Sequence, residues 1–260
     1  MTMGKKAPVA RDLVATDLTV ADLRNALARG WADFRVHPEF GLFFSGIYVF
    51  AGIMLYYVLF VWSQLAWLST LAAGFPLIAP FVAVGLYEVS RRRETAMPMR
   101  WGAILGALRG RGDEQILAIG VIVFVAFGFW VIVAHGVFAI FLSVSAMGSE
   151  SLEFLMTDTG IAMLVVGGAI GALMALAFYA ITVISLPMLV DREIDFITAI
   201  ITSLAVVRSN RKVMLCWACL IAIALLIAML PLFLGLFIVL PVLGHATWHL
   251  YRRAVDQPAP

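Results

Sequence analysis

The chain has 260 residues, 63% of them hydrophobic and 13% charged, with a mean hydropathy of +1.01. Soluble domains are nearer half apolar and a quarter charged, so this composition excludes an ordinary soluble fold and points to a protein embedded in a membrane. The net charge of +2 singles out neither an acidic nor a basic partner.

The opening stretch, MTMGKKAPVARDLVATD, reads as a flexible N-terminal arm over 1–17. It has no apolar h-region and no A-x-A site, so no cleaved signal peptide is expected. Residues 18–255 read as a single membrane domain, because no polar stretch is long enough for a separate soluble one.

TVADLRNALARGWADF has helical periodicity but is too polar to cross a bilayer. Val20, Leu23, Leu27, Trp31 and Phe34 share one face, Asp22, Arg29 and Asp33 lie off it, and Thr19 with Asp22 has capping-box spacing. Two apolar runs follow, Phe40–Trp62 and Leu65–Glu88, each long enough for a membrane helix. PMRWGAILGALRGR then repeats the amphipathic theme through Trp101, Ile104, Leu105 and Leu108. The next spans are Ile116–Leu142 and Gly160–Val190; in the latter, Gly167 and Gly171 stand at GxxxG spacing, which suits close helix packing. EIDFITAIITSLAVVRS is the third amphipathic segment, through Ile194, Ile197, Ile201 and Leu204.

The last run, Val213–Leu250, is too long for one helix and carries Pro231 near its middle. It divides into Val213–Met229 and Leu232–Leu250, joined by a tight turn at Leu230–Pro231. The fold class is therefore an all-α polytopic bundle of six transmembrane helices with three interfacial amphipathic helices on the cytoplasmic side.

The basic residues test that count. Six spans with the N-terminus inside leave cytoplasmic segments 1–39, 89–115, 191–212 and 251–260, which hold six, six, four and two basic residues, all 18 in the chain. The outer loop SVSAMGSESLEFLMTDTG carries Glu150, Glu153 and Asp158 and no Lys or Arg. By the positive-inside rule both ends of the chain are cytoplasmic. A five-span reading would strand Arg252 and Arg253 outside.

The order interfacial helix, span, span occurs three times, over 18–93, 97–192 and 193–253, and reads as a parallel threefold repeat. Pro80, Pro187 and Pro241 precede the cytoplasmic ends of the second spans; Glu88, Asp195 and His249 stand eight residues further on, and Val84, Asp191 and His245 four. Positions i, i+4 and i+8 share a helix face.

ADFRVHPEFGLFF, FPLIAPFVAVGLYEVSRRRE and GHATWHLYRR together resemble a proteobacterial family of predicted integral membrane proteins, a domain of unknown function. The resemblance implies a multi-pass protein of the bacterial inner membrane and brings no activity. Some members carry labels resembling cytochrome c oxidase subunit I. That pattern needs twelve spans and six ligating histidines, whereas this chain has only His37, His135, His245 and His249, which excludes an oxidase core.

Two constellations carry candidate chemistry. Cys216 and Cys219, with His245 and His249, would suit zinc or copper if the last two spans face each other there; against this, cysteines pack readily as small hydrophobes and His with Trp belongs at an interface. Glu88, Asp191, Asp195, His245 and His249 form a second set, a polar cluster at the cytoplasmic side. His135 sits in a span with no acid beside it, so a neutral imidazole bonded to a neighbouring helix is expected. No P-loop, dinucleotide fingerprint, G-x-S-x-G or H-E-x-x-H occurs, so no enzyme is indicated. The juxtamembrane basic residues suit lipid headgroups, not nucleic acid. The function expected is that of a non-enzymatic accessory, assembly or scaffold component of a larger membrane complex. The alternative is a transporter or channel for a small solute or metal ion, which requires a water-accessible cavity reaching the polar cluster.

Overall fold

In the computed structural model, which describes residues 14–57, 82–109, 113–144 and 156–255, every named element is a helix. The one piece of β pairing among these residues is an isolated antiparallel bridge between Val14 and Val255.

Helix α1 (Val20–Val36) starts at the predicted capping box: the Thr19 side chain accepts from the Asp22 amide, and the Asp22 carboxylate accepts from Thr19 N at 2.8 Å. At His37 the chain turns by 100° into α2 (Pro38–Tyr56). Pro38 at the first helical position favours this restart, since it has no amide to satisfy and its φ is already helical. The next described helix, α3, covers 82–94. Short α4 (Trp101–Leu105) runs into a 3-10 turn, Gly106–Arg109. Then come the long α5 (Asp113–Val144) and α6 (Asp158–Thr182), which pack as a hairpin. A turn at Val183–Ile184 separates α6 from α7 (Ser185–Asp191). Helices α8 (Phe196–Ser209), α9 (Arg211–Met229) and α10 (Leu236–Ala254) complete the order.

Three stretches are long and apolar enough to cross a membrane: Glu114–Phe141, Asp158–Asp191 and Arg211–Met229. They correspond to three of the expected spans. A fourth arises only if the bent pair α1–α2 counts as one. Thus three or four candidate spans stand among the described residues, where the sequence suggests six. Most of the predicted span Leu65–Glu88, with Pro76 and Pro80, lies outside them, as do the end of Phe40–Trp62 and most of the outer loop. Helix α10 falls short on composition, because its second half carries two histidines and two arginines.

The turn between α9 and α10 is longer than expected, so α10 begins at Leu236 and not at Leu232. Within the turn, Leu232 and Phe233 adopt positive φ values of 50° and 65°. The Phe233 ring sits against Gly52 of α2, where a Cβ would lie 2.6 Å from the ring.

All three amphipathic segments form helices, but only some of their large apolar residues face the core. In α1, Leu23, Ala26, Gly30, Asp33 and Phe34 are buried while Val20 and Trp31 are exposed. In α8, Ala199, Thr202, Ser203 and Val206 are buried while Ile197 and Ile201 point outward. In α4, Ile104 is buried and Trp101 packs its ring on Phe40 and Phe43 of α2. Small and polar residues thus make many of the helix contacts, and several bulky apolar ones are left for lipid.

The GxxxG pair is used within the hairpin. Gly171 lies against the Trp130 indole of α5, and Gly167 faces Val137 more loosely.

The last residues assigned to the N-terminal arm are tied down. Ala15 N donates to Ala254 O at 2.9 Å. Asn210, buried at the α8–α9 junction, donates to Ala15 O at 2.8 Å and accepts from Leu18 N at 3.0 Å. The two ends of the domain therefore meet at one place.

Candidate functional site

Many of the described polar residues gather around the last two turns of α10. They are brought there by α1, which crosses α10 with Gly30 against its backbone: a Cβ on Gly30 would lie 2.6 Å from both Ala246 N and Val242 O. That contact buries Asp33, one turn further along α1, to 3% exposure.

The buried Asp33 carboxylate is the hub. Its Oδ2 accepts from Ser90 Oγ of α3 at 2.6 Å and from Nε2 of His249 at 2.8 Å, and its Oδ1 accepts from Arg93. An ionised carboxylate can only accept, so Ser90 gives its proton to Asp33 and receives a bond from Nδ1 of His245 at 2.8 Å. This assigns the proton to Nδ1 in His245 and to Nε2 in His249. The far nitrogens, Nε2 of His245 and Nδ1 of His249, have no hydrogen-bond partner among the described residues, so the chain of bonds ends at both. Burial alone would push the Asp33 carboxyl up; the hydrogen bonds from His249 and Ser90 outweigh it and hold the group below the usual carboxylate range.

Around this hub α10 makes further polar contacts. Tyr251 OH and Arg252 Nη1 donate to Asp191 Oδ2 of α7 at 2.7 and 3.1 Å. Trp248 Nε1 and Arg252 Nε donate to Glu94 of α3 at 3.0 and 3.1 Å. Arg253 reaches Asp22 and Asp17 at 3.2 and 3.0 Å. The segment GHATWHLYRR is neither an isolated ligand set nor a polar fringe. It is a clasp that joins α1, α3 and α7 to α10.

The five residues of the predicted polar cluster are distributed over separate contacts. His245 and His249 share the Asp33 hub. Asp191 pairs with Tyr251 and Arg252. Glu88 is buried and takes bonds from Arg91 and Arg92, its neighbours one turn on, at 2.7 Å each. Asp195 is the N-cap of α8, accepting from Thr198 N at 2.8 Å. The positions eight residues past each proline therefore do different jobs.

The predicted metal quartet is not assembled. Cys216 and Cys219 are exposed, whereas Met214 and Trp217 form the buried face of α9. Among the described residues no three His, Cys, Asp or Glu side chains come together in a way that could hold a metal ion. Replacing both cysteines by Ser is expected to change stability by less than about 0.5 kcal/mol, as for surface positions elsewhere. Thermal unfolding in detergent with and without zinc checks this: a zinc-dependent gain lost in the double variant would reverse the assignment.

His135 bonds the Val131 carbonyl one turn back in its own helix at 2.8 Å. A cavity of about 320 Å³ lies deeper in the bundle. Its lining includes none of Glu88, Asp191, Asp195, His245 or His249, so it does not supply the route that a transporter using those residues would need.

Asp33, Ser90, Arg93, Glu94, Tyr251 and Asn210 are the residues that sequence reasoning missed. The available signal was the spacing of Ala26, Gly30 and Asp33, a helical stripe of small residues ending in a carboxylate.

An all-helical architecture, span-length apolar helices and polar groups folded inward define an integral membrane protein, embedded in lipid. A family model described as predicted integral membrane protein (DUF2189) matches residues 68–191. The motif FPLIAPFVAVGLYEVSRRRE lies inside that match, whereas ADFRVHPEFGLFF and GHATWHLYRR lie outside it. Comparisons with curated proteins and with solved structures give no match.

Proposed function

We propose that the protein is a non-enzymatic accessory or scaffold component of a larger complex in the bacterial inner membrane. In this reading it spans the bilayer six times, in three parallel units, with both ends in the cytoplasm. The observation that carries the functional reading is the self-sufficiency of the polar network: Asp33, Glu88 and Asp191 are each matched by cations or donors of the same chain. Among the described residues these buried carboxylates are satisfied within the chain, and the polar atoms of the hub without a partner are the buried far nitrogens of His245 and His249. What the protein offers outward is apolar, notably on the α5–α6 hairpin, where Ile132 and Leu173 are 70% and 68% exposed.

Placement of both ends in one compartment is supported by the Val14–Val255 bridge and by the basic residues of the clasp, Arg93, Arg252 and Arg253, gathered at one end of the bundle.

The test is to install a photo-crosslinking residue at Ile132 and at Leu173 in cells and, separately, to label both ends of the chain for sidedness. Crosslinks to one defined membrane protein at both positions, retained through purification in mild detergent, are expected. A lone monomer with lipid adducts only would overturn the scaffold reading, and termini on opposite sides would overturn the topology.

A further inference from the structure

Between the α5–α6 hairpin and the packed helices α2, α9 and α10 lies the cavity of about 320 Å³, near the lower bound of roughly 300–1,000 Å³ for small-ligand sites. Val123 and Phe127 of α5 and Tyr179 of α6 form one side; Tyr48, Leu225 and Leu240 form the other. Ala83 and Thr247 also line it.

Three hydroxyls on the wall are committed to the protein itself. Tyr179 donates to the Met214 carbonyl, Thr182 to Phe178 and Thr247 to Leu243, each at 2.8 Å. A polar solute or an ion would therefore find little to replace its hydration. Water fares no better, since a buried water needs about two to four polar partners and apolar cavities stay dry. An empty void is itself costly, because its walls lose dispersion contacts. The cavity is bounded by all three stretches apolar and long enough to cross a membrane, α5, α6–α7 and α9, and is open on part of its boundary. At that depth the available filler is hydrocarbon.

We infer that this cavity is a binding site for a single aliphatic chain drawn from the membrane, an acyl tail of a phospholipid or an isoprenoid. The aromatic walls from Tyr48, Phe127 and Tyr179 grip the chain, and its headgroup stays outside. The site is independent of the Asp33 hub and of any partner complex.

The experiment uses full-length protein in vesicles of phosphatidylethanolamine and phosphatidylglycerol. One arm is doped with a phospholipid carrying a mid-chain diazirine, the other with an isoprenoid alcohol carrying the same group. Illumination is expected to label Val123, Phe127 or Leu240 in one arm or both, and the arm identifies the source. Filling the cavity by Val123→Trp or Ala83→Phe lowers that labelling about tenfold, as for a site that loses its space. Leu164→Trp, on the exposed face of α6, leaves it unchanged. Labelling confined to outward residues such as Ile132, or unaltered by either filling variant, overturns the inference. Should both variants fail to fold, native mass spectrometry of the detergent-purified wild type decides. One retained lipid per chain is expected, and a lipid-free protein overturns the site.

Discussion

Asp33→Ala is expected to cost about 3 kcal/mol, the low end of the ~3–5 kcal/mol typical when one partner of a buried ion pair is removed. The substitution leaves Ser90 and His249 buried with a missing acceptor and Arg93 without its counter-charge. The low end applies because the Arg93 side chain is 35% exposed and can turn to water. Asp33→Asn keeps the shape and one acceptor oxygen, so about 1–2 kcal/mol is expected, the scale of a weakened buried hydrogen bond. Unfolding of the two variants in the same detergent separates the contributions of charge and shape. The double variant Asp33→Ala, His249→Ala should be less destabilised than the sum of the singles, because the partners share one network. Additive effects, or an Asp33→Ala loss below ~0.5 kcal/mol, the range of ordinary surface changes, would show that the hub holds nothing together.

The pH dependence has a definite sign. The folded Asp33 carboxyl lies below its ordinary value, so its contribution is fully present above the unfolded carboxylate range of about 4 and is lost as pH falls through the folded value. Wild-type stability should decline on acidification in that window, and Asp33→Ala should flatten this part of the profile.

How much of this was readable from residues alone follows from the solvent. Element existence was legible, because span length and the capping box at Thr19 are local signals. Helix facing was not. In water, Val20, Trp31, Ile197 and Ile201 would mark the buried stripe; in lipid, bulky apolar side chains are as comfortable outside, and small residues such as Ala26, Gly30, Ala199 and Ser203 are buried beside a few larger ones. That rule does not place the thiols. On α9 the bulky Met214 and Trp217 are buried and the small Cys216 and Cys219 lie outward, so residue size gave no signal of their facing. His245 and His249 meet through Ser90 and Asp33. Their partner was missed because Asp33 lies more than two hundred residues away and off the stripe that a soluble amphipathic pattern would bury.

Gly30→Ala tests that facing rule most directly, since two effects of known sign oppose each other. Within a helix, Gly to Ala is worth about 1 kcal/mol of stabilisation from backbone entropy. At Gly30 the added methyl would sit 2.6 Å from two backbone atoms of α10, which cannot turn aside as a flexible side chain can. Overpacking of this kind costs about 1–3 kcal/mol, occasionally more. It would also lift α1 where Asp33 enters the clasp, so part of the hub's contribution goes with it. A net loss of about 2 kcal/mol or more is expected, against the propensity. Gly128→Ala in α5 supplies the control, because nothing lies within 4 Å of that position: the same chemical change there should be neutral or stabilising by up to about 1 kcal/mol. Opposite signs at the two glycines, read from unfolding in one detergent, are what close α1–α10 packing demands. A Gly30→Ala protein as stable as Gly128→Ala would mean that α1 does not rest on α10, and the burial of Asp33 would then have no cause.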